Sequence, residues 1–427
     1  MDLFVKFRKD YFNYLISVIL PALISGISIP VFKNLLGAKG YGIFSIWFNA
    51  ILIITAILSG WITQSIILFY PKSINKRFFS TQALILSIRT QIIFFIPVLL
   101  VIWYLKDDLL FAFLCSFVLL VTSVQFCILP IIQSSFQSKK IIFSEFIRVV
   151  SYVACAIFFV KLSGLSYLYS LFIAVIVSYS LSLFYLIKQA HKFFKSHLSL
   201  NKESDKLQTL FKKFFNYGAP LSLWFVFAYL LSYVDKLFML HQFGGEVQGN
   251  YQAIFDLISK SLILIISPIV TSIFPILTTA YAEGNKTEIR KLLKKIIIYE
   301  IGGFFVVSIL YLLFGADLLL YILKTPNTNT FRLMGFIVIC GTFIWQIAIL
   351  VQKRFELKLR SLFMLVMVAI ALIVQVVFYL IFKNLSNQLL YPLGFLLSAL
   401  VYLFLVSVTE LMAVSKTISF KSKSVSV

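Results

Sequence analysis

Charged residues, and acidic residues above all, are scarce in this sequence. The 427 residues include only 16 Asp and Glu, and the charged fraction is 13%. Soluble domains contain about 25% charged and about 45–50% apolar residues. Because 61% of this chain is hydrophobic, with 46 Phe, a water-soluble fold would lack the polar side chains needed to cover its core. A soluble enzyme is therefore excluded, and lipid is the predicted surrounding.

Cysteine and histidine are also few. The four cysteines lie in apolar runs without a CxxC pair, so neither a disulfide scaffold nor a zinc site is predicted. The three histidines fall in predicted loops and do not form a ligand set. No GxxxxGK[ST] phosphate loop is present, so an ATP-driven transporter would need a separate subunit. These absences predict no enzymatic activity and no bound cofactor.

Long apolar runs dominate the chain instead. A bilayer core about 30 Å thick needs about 20 apolar residues per helix. We expect an all-α integral membrane protein with about 12 transmembrane helices. The first run follows a basic N-terminus but is too long for a signal peptide, so we expect an uncleaved helix. The twelve runs are Tyr11–Phe32, Tyr41–Phe69, Ala83–Leu105, Leu109–Ile132, Ile141–Val160, Leu168–Ile187, Phe215–Leu240, Tyr251–Ala280, Ile296–Phe314, Met334–Val351, Leu362–Phe382 and Leu389–Met412.

Lysine and arginine are concentrated in alternate loops between these runs. Cytoplasmic loops carry an excess of both residues. If the N-terminus is cytoplasmic, the segments on that side hold most of the 38 Lys and Arg. We therefore expect both termini in the cytoplasm. The same asymmetry explains the net charge of +22 without a nucleic-acid partner.

The longest polar stretch follows the sixth of the twelve runs. It predicts an N-terminal six-helix lobe (residues 1–187), a basic cytoplasmic linker (188–213) and a C-terminal six-helix lobe (214–427). The apolar side chains of Leu207, Leu210, Phe211, Phe214 and Phe215 form one stripe, which indicates either a helix in the headgroup plane or a plain linker.

Two short repeats indicate that the lobes are related by duplication. The segment Leu36–Gly42 shares a Gly–x4–Gly spacing with Phe243–Gly249. Gln133–Lys139 matches Gln352–Lys358 at Gln, Phe and Lys. Each lobe would have six helices, an even number, so the second lobe would begin on the same side as the first. Both lobes would then enter the membrane from the cytoplasm, as in parallel-repeat transporters.

Three segments resemble the polysaccharide-flippase (Wzx-like) branch of the multidrug/oligosaccharidyl-lipid/polysaccharide (MOP) exporter superfamily. They are the LGAKGYG turn at Leu36–Gly42, the run Asp235–Tyr251, and Ser272–Pro275 followed by the AEGNK and RKLLKK sequences. The resemblance implies two six-helix lobes around a central cavity, a MATE-like architecture, in the bacterial cytoplasmic (inner) membrane. Twelve rather than fourteen helices favours the O-antigen, capsule or exopolysaccharide type.

The resemblance also implies a substrate and partners. The substrate would be a polyprenyl-diphosphate-linked oligosaccharide, moved across the membrane for lipopolysaccharide or other surface polysaccharide synthesis. Membrane lipids, and a polymerase and glycosyltransferases of the same pathway, would be the partners. A cation/drug antiporter of the same fold is the main alternative. A membrane glycan polymerase or ligase is less favoured because the longest outer loop is short.

Ionisable residues inside the runs are the candidate site, because charge near the bilayer centre is costly. Lys260 lies about nine residues into its run, roughly 14 Å along the helix. Asp256 lies one turn earlier, so the two can pair and act either in a cavity or as structural glue. Asp235 and Lys236 lie near the outer end of the seventh run, from which Lys236 could snorkel.

The remaining candidates divide into charged and amide side chains. Arg89 and Arg148 either face the cavity or snorkel, and Glu145 can pair with Arg148 across one turn. Glu300 is expected to act as an interfacial counter-charge to the preceding basic run. The amides of Gln64 and Gln346, like those of Asn49, Gln125 and Gln375, could bind sugar hydroxyls or neighbouring helices.

These residues lead to an expected mechanism of alternating access. Lys260, Arg89 and Arg148 would replace the hydration of the diphosphate, and amides that of the sugars. Asp235 or Asp256 could couple exchange to protons or sodium, and the sequence does not distinguish the two ions.

Overall fold

The structure is a computed structural model. It describes the backbone of residues 3–70, 73, 75–133, 138–162, 164–190, 204–283, 285–358 and 360–423. Side chains are described for most of these residues, excluding 3–25, 138–139, 204–210, 213, most of 267–282, 286 and 410–423. All statements below concern these residues. The linker 191–203, in which part of the predicted basic segment falls, lies outside them.

Helices account for the described chain, and no strand occurs in it. The helices are α1 (Leu3–Phe69), α2 (Lys76–Lys106), α3 (Leu109–Gln133), α4 (Ser138–Leu162), α5 (Tyr167–Ala190), α6 (Ser204–Ala282), α7 (Lys286–Leu310), the π-helix Tyr311–Gly315, α8 (Ala316–Leu323), α9 (Asn329–Leu357), α10 (Ser361–Ile381) and α11 (Leu390–Lys423). The predicted all-α membrane architecture is confirmed.

Ten segments of the described chain are long and apolar enough to cross a membrane. The difference from the twelve predicted runs arises in α1 and α6, each of which contains two of them. Gly37 in α1 and Gly244 in α6 have non-helical backbone angles, which divide each long helix into two segments. Counted by segments, the twelve runs are all helical.

The two glycines also support the predicted duplication. Gly37 has φ 72° and ψ 169°, and Gly244 has φ 78° and ψ 175°. This region of backbone space is essentially restricted to glycine. The first glycine of each Gly–x4–Gly segment therefore has the same conformation and breaks the helix at the same place in the repeat.

The chain divides into two compact units. One spans Ser17–Tyr229, and the other contains Leu230 to the C-terminal helix together with the N-terminal end of α1. The division falls inside α6, after Tyr229, and not in the polar stretch before it. Residues 204–213 are helical and continuous with the segment that follows. The predicted limits of the lobes stay a prediction.

In the unit Ser17–Tyr229, the first part of α6 packs against the second segment of α1. The hydroxyl of Ser222 donates to the carbonyl of Ala56 at 2.6 Å, and Ser65 donates to the carbonyl of Phe214 at 3.0 Å. Phe214 is fully buried in a cluster with Trp61 and Phe79. The residues of the predicted apolar stripe therefore differ in exposure. Phe211 and Phe215 are exposed, whereas Phe214 is buried and anchors the helix.

In the other unit, α11 packs against α9 and α10, and α7 packs against α9. The hydroxyl of Tyr379 on α10 donates to the carbonyl of Tyr391 on α11 at 2.8 Å. The amide of Gln375 donates to the carbonyl of Leu231 on α6 at 2.9 Å and to the Tyr379 hydroxyl at 3.0 Å. These contacts join α6, α10 and α11 around the residues described next.

Candidate functional site

Asp235 of α6 is fully buried, and its carboxylate is hydrogen bonded on both oxygens. The hydroxyl of Tyr251 donates to Oδ2 at 2.5 Å, and the backbone N–H of Lys236 donates to Oδ1 at 2.8 Å. Tyr251 follows the Gly244 break, so the two α6 segments meet at this hydrogen bond. Asp235 is therefore a buried hydrogen-bond acceptor, held in place by the Tyr251 hydroxyl and the Lys236 N–H.

Lys236 is buried beside Asp235, with 2% of its surface exposed. Its Nζ lies 3.9 Å from the ring centroid of Phe255, a cation–π contact. The alternative that Lys236 snorkels outward is wrong in this structure, because the cation is turned into the unit.

Lys260 differs from Lys236 in being exposed. It forms no ion pair within the described part of the chain, so the pair with Asp256 that the spacing allows is not formed. Asp256 is half-buried and has other interactions. Lys260 is thus a cation near the middle of a membrane helix without a bonded counter-charge.

A polar stripe that sequence reasoning missed extends from Lys260 towards Gly244. Gln248, Gln252, Asp256 and Lys260 recur at intervals of four residues, so each lies one turn from the next and the row winds around α6 by about 40° per step. Gln248 and Gln252 are fully buried, and neither their amide nitrogens nor their oxygens have a hydrogen-bond partner among the described residues. The four-residue spacing was the signal that could have found the whole stripe.

Arg148 and Glu145 of α4 form the pair that their spacing predicts. Nη2 of Arg148 lies 2.6 Å from Oε2 of Glu145, and Nε donates to the same oxygen at 3.0 Å. The guanidinium also lies 5.0 Å from the ring centroid of Tyr179 on α5. The amide of Gln125 donates to Glu145 at 3.3 Å. Arg148 is compensated and positioned within its own unit.

Arg89 of α2 is exposed and forms no ion pair in the described part of the chain. The residues one and two turns further along the same face are Ile92, Ile93 and Ile96, which are 63%, 67% and 63% exposed. An exposed isoleucine face inside a membrane helix is typical of contact with lipid. This position favours snorkelling over a role in a polar site.

The two amide candidates are placed differently. Gln346 of α9 is buried, with 6% exposed, whereas Gln64 of α1 is half-buried. Neither side chain forms a hydrogen bond with Lys260 in the described structure. Gln125 and Gln375 instead bond neighbouring helices, which is the structural alternative for such residues.

Glu300 of α7 does not act as a counter-charge to the basic run before it, and that expectation is wrong. It is 97% buried, and neither carboxylate oxygen has a hydrogen-bond partner among the described residues. The helix rotates Glu300 towards its own unit, whereas Tyr299 and Ile301 beside it are exposed.

Outside the spans, Asp108 lies between α2 and α3. The hydroxyl of Tyr169 donates to its Oδ2 at 2.5 Å, and the N–H of Phe111 donates to Oδ1 at 2.9 Å. The Tyr169 hydroxyl, followed by the Phe111 N–H, lowers the pKa of the Asp108 carboxyl from its usual value. Asp108 therefore caps α3 and joins it to the start of α5. No cluster of His, Cys, Asp or Glu in the described chain could hold a metal ion.

Comparison with solved structures shows the fold. A multidrug resistance MATE family transporter of the MOP superfamily, in an inward-facing conformation, aligns with a TM-score of 0.70 at 13% identity, over 93% of this chain and 95% of that chain. The MATE transporter VcmN of Vibrio cholerae aligns with a TM-score of 0.69 at 12% identity, over 97% and 99%. A MOP superfamily transporter from Pyrococcus furiosus aligns with a TM-score of 0.66 at 15% identity, over 94% and 95%. At these identities the likeness shows the fold, which is that of the MOP superfamily.

The sequence family is more specific. The chain belongs to the polysaccharide biosynthesis protein family, whose family model matches residues 7–281. The expected membership of the MOP superfamily is confirmed by this match and by the fold together. No curated protein sequence matches the chain.

Proposed function

We propose that this protein flips a polyprenyl-diphosphate-linked oligosaccharide across the bacterial cytoplasmic membrane by alternating access. Two findings support a transporter of polysaccharide precursors: membership of the polysaccharide biosynthesis family and the MOP transporter fold. The substrate combines an anionic diphosphate, a chain of hydroxylated sugars and a lipid tail. The protein must replace the hydration of the first two while the tail stays in lipid.

The observation that carries the proposal is the environment of Lys260. It is exposed, has no ion pair in the described chain, and lies on the polar stripe of α6. Arg89 is also exposed and without an ion pair, but it lies among exposed isoleucines. Lys260 differs from Arg89 in having a carboxylate, Asp256, one turn away, although Ile263 on its other side is also exposed. This carboxylate and the amides of the stripe make Lys260 the better candidate for an anionic substrate group.

Lys260 would supply the positive charge that binds the diphosphate. An ammonium group binds phosphate as a strongly hydrated point charge with three donors. Asp256 and Lys236 next to it set the local field, and the outward movement of the anion is favoured by an inside-negative potential by about 2.3 kcal/mol per charge per 100 mV. Arg148, already bound to Glu145, would position α4 and not hold the diphosphate.

The buried amides of Gln248 and Gln252 extend the stripe beyond Asp256. Sugar hydroxyls are the complement to such amides, because each hydroxyl both donates and accepts. We infer that these residues meet the sugars when this face of α6 opens during transport. Gln346 and Gln64 are candidates for the same role elsewhere in the two units.

Ion coupling would involve Asp235 or Asp256. Asp235 is buried against Tyr251 and Lys236, and Asp256 is half-buried on the stripe. Protons or sodium could each bind a carboxylate of this kind, and we propose coupling without assigning the ion. The glycosyltransferases that build the oligosaccharide would act before this protein, and a polymerase would act after it.

A cation or drug antiporter of the same fold would need a site richer in carboxylates. The spans contain Arg89, Arg148, Lys236 and Lys260 against Glu145, Asp235 and Asp256. The structure adds Lys33, which is buried in α1 although the sequence places it in an outer loop, and Glu300. Arg89 lies among exposed isoleucines and Arg148 is paired with Glu145, so the remaining cations Lys33, Lys236 and Lys260 are matched in number by Asp235, Asp256 and Glu300. The count of charges therefore does not decide between the two functions, and the flippase is favoured by the family match.

Substitution of Lys260 tests the proposal in cells. Lys260→Ala should lower surface glycan by about 10- to 100-fold, because a hydrogen bond to a charged group contributes about 1.5–3 kcal/mol. Protein abundance in the membrane should not change, since Lys260 is exposed. Lys260→Arg should keep part of the function because the charge is retained.

The matched control is Arg89→Ala, which removes another exposed cation of a membrane helix and should leave surface glycan unchanged. The combined change Lys260→Ala with Asp256→Ala should remain defective. Restoration of surface glycan by that double variant would show that Lys260 only neutralises Asp256 and does not bind substrate.

A further inference from the structure

Glu300 is a buried carboxyl group that the proposed binding of substrate does not use. It lies in α7, about one helical turn past Lys295, the last lysine of the basic run. Only 3% of its surface is exposed, and both carboxylate oxygens lack a hydrogen-bond partner among the described residues. An ionised carboxylate is strongly disfavoured in such a place, whereas a protonated one is not.

The charged groups of α7, α8 and α9 lie near the helix ends, whereas α6 carries Lys260 within its second segment. Between Arg332 and Lys353, α9 has no charged residue, and neither has the π-helix. The groups concerned are Glu288, Arg290, Lys291, Lys294 and Lys295 of α7, Asp317 of α8, Arg332, Lys353, Arg354 and Glu356 of α9, Tyr311 of the π-helix, Lys260 of α6, and Glu283 directly after α6. None of them forms a hydrogen bond with the Glu300 carboxylate within the described structure.

Several of these groups are bound elsewhere. Arg332 pairs with Asp317 at 2.6 Å, and Lys353 pairs with Glu356 at 2.7 Å. The hydroxyl of Tyr311 donates to the carbonyl of Arg332 at 2.9 Å. These pairs hold their own elements together and are not directed at Glu300.

A ring contact between α7 and α9 determines which residue of α9 lies at the level of Glu300. Phe304 and Phe343 meet edge to face with centroids 5.3 Å apart. The two helices run in opposite directions, so one turn before Phe304 corresponds to one turn after Phe343. Glu300 and the buried Gln346 therefore occupy the same level of this interface.

We propose that Glu300 is a proton-binding site, distinct from Asp235 and Asp256, whose occupancy is coupled to transport. In the present conformation the carboxyl carries one proton. When α7 and α9 separate, water reaches the group, the O–H bond breaks and the proton passes to that water. Return of the two helices takes up one proton again. The coupling part of this inference rests on the proposed transport function.

The helix beyond Glu300 has two features that favour bending. Gly302 and Gly303 follow it directly, and no atom outside the helix lies within 4 Å of where their side chains would begin. Glycine pairs are sites of helix bending. The π-helix Tyr311–Gly315 continues the same chain, and such segments often mark functional positions.

Chemical labelling tests proton binding without any substrate. Dicyclohexylcarbodiimide reacts with protonated carboxyl groups in apolar surroundings. In the purified full chain at pH 7, peptide mass spectrometry should find Glu300 labelled and the exposed Glu246 unlabelled, and Glu300→Gln should lose the label at that peptide. Failure to label Glu300 between pH 6 and 8 overturns the proposal.

Transport in liposomes tests the coupling. For the native protein, an imposed pH gradient should change the flipping rate of a lipid-linked oligosaccharide. In Glu300→Gln the ratio of rates with and without the gradient should fall to one, whereas Glu300→Asp should keep part of the response and Glu246→Gln all of it. An unchanged response in Glu300→Gln overturns the coupling. Absence of flipping by the native protein overturns the proposed function instead, and labelling still decides whether Glu300 binds a proton.

Discussion

Removal of the Tyr251 hydroxyl should destabilise the unit that contains Asp235. Both residues are fully buried, and the hydroxyl donates to the carboxylate at 2.5 Å. Hydrogen bonds to charged groups contribute about 1.5–3 kcal/mol, and the short distance places this bond towards the upper end. Tyr251→Phe should therefore lower the free energy of unfolding by about 2–3 kcal/mol.

Asp235→Asn should have a larger effect, because it removes the counter-charge beside the buried Lys236. Removal of one partner of a buried ion pair costs about 3–5 kcal/mol. Because Lys236 Nζ lies over the ring of Phe255 and not in an ion pair with Asp235, we expect a loss at the lower end of that range. Addition of Tyr251→Phe to Asp235→Asn should then cost less than Tyr251→Phe alone, since the charge-assisted bond is already absent.

Reversible unfolding of the four proteins in detergent measures these differences. Tyr321→Phe is the matched control, since Tyr321 is 82% exposed and its hydroxyl forms no hydrogen bond within the described part of the chain. If Tyr251→Phe costs no more than Tyr321→Phe, or if the two changes at Asp235 and Tyr251 add fully, the account of this buried cluster is refuted.

Three further predictions concern the backbone, the outer loop and the topology. Gly37→Ala and Gly244→Ala should each cost about 1–3 kcal/mol in unfolding assays, because both glycines have positive φ. Gly26→Ala, at a helical position of α1 with open space around it, should stabilise the protein by up to about 1 kcal/mol. Tyr169→Phe should raise the pKa of Asp108, measured by NMR titration. Because folding lowers the pKa of Asp108, its contribution to the free energy of unfolding is fully present above the unfolded-state pKa and is lost as the pH falls through the folded-state pKa. An unchanged pKa of Asp108 in Tyr169→Phe contradicts this prediction. Reporter fusions should report cytoplasm at Lys72, Lys206 and Lys416 and the outer side at Lys106, Lys161 and Lys383, and a reversed result at Lys206 contradicts the six-plus-six layout.

The spans could be predicted from the sequence because hydropathy is a sum over about 20 neighbouring residues and needs no tertiary contact. The Gly–x4–Gly repeat likewise identified Gly37 and Gly244, since positive φ is a local requirement for glycine. The same local logic identified the Glu145–Arg148 pair, which the structure forms. Each of these features depends on residues close in the sequence.

The direction in which a charged side chain points could not be predicted in the same way. Asp256 and Lys260 are spaced to pair, but Lys260 is exposed without an ion pair. Lys236 was free to snorkel by sequence, and the ring of Phe255 on the other segment of α6 holds it inside. Glu300 follows a basic run, and only the packing of α7 against α9 shows that it is buried. Each outcome depends on which face of a helix is covered by a neighbouring element. The spacing of nearby residues in the sequence does not determine which face that is.

Reconstitution of the purified protein tests the central claim most directly. Liposomes would carry a fluorescent polyprenyl-diphosphate-linked oligosaccharide in both leaflets, and an external glycosidase would report the exposed fraction. The account predicts that the native protein makes the protected inner pool accessible, that Lys260→Ala slows this by about 10-fold or more, and that Arg89→Ala does not. Flipping no faster than in protein-free liposomes, together with gradient-driven movement of a cationic drug, would contradict it.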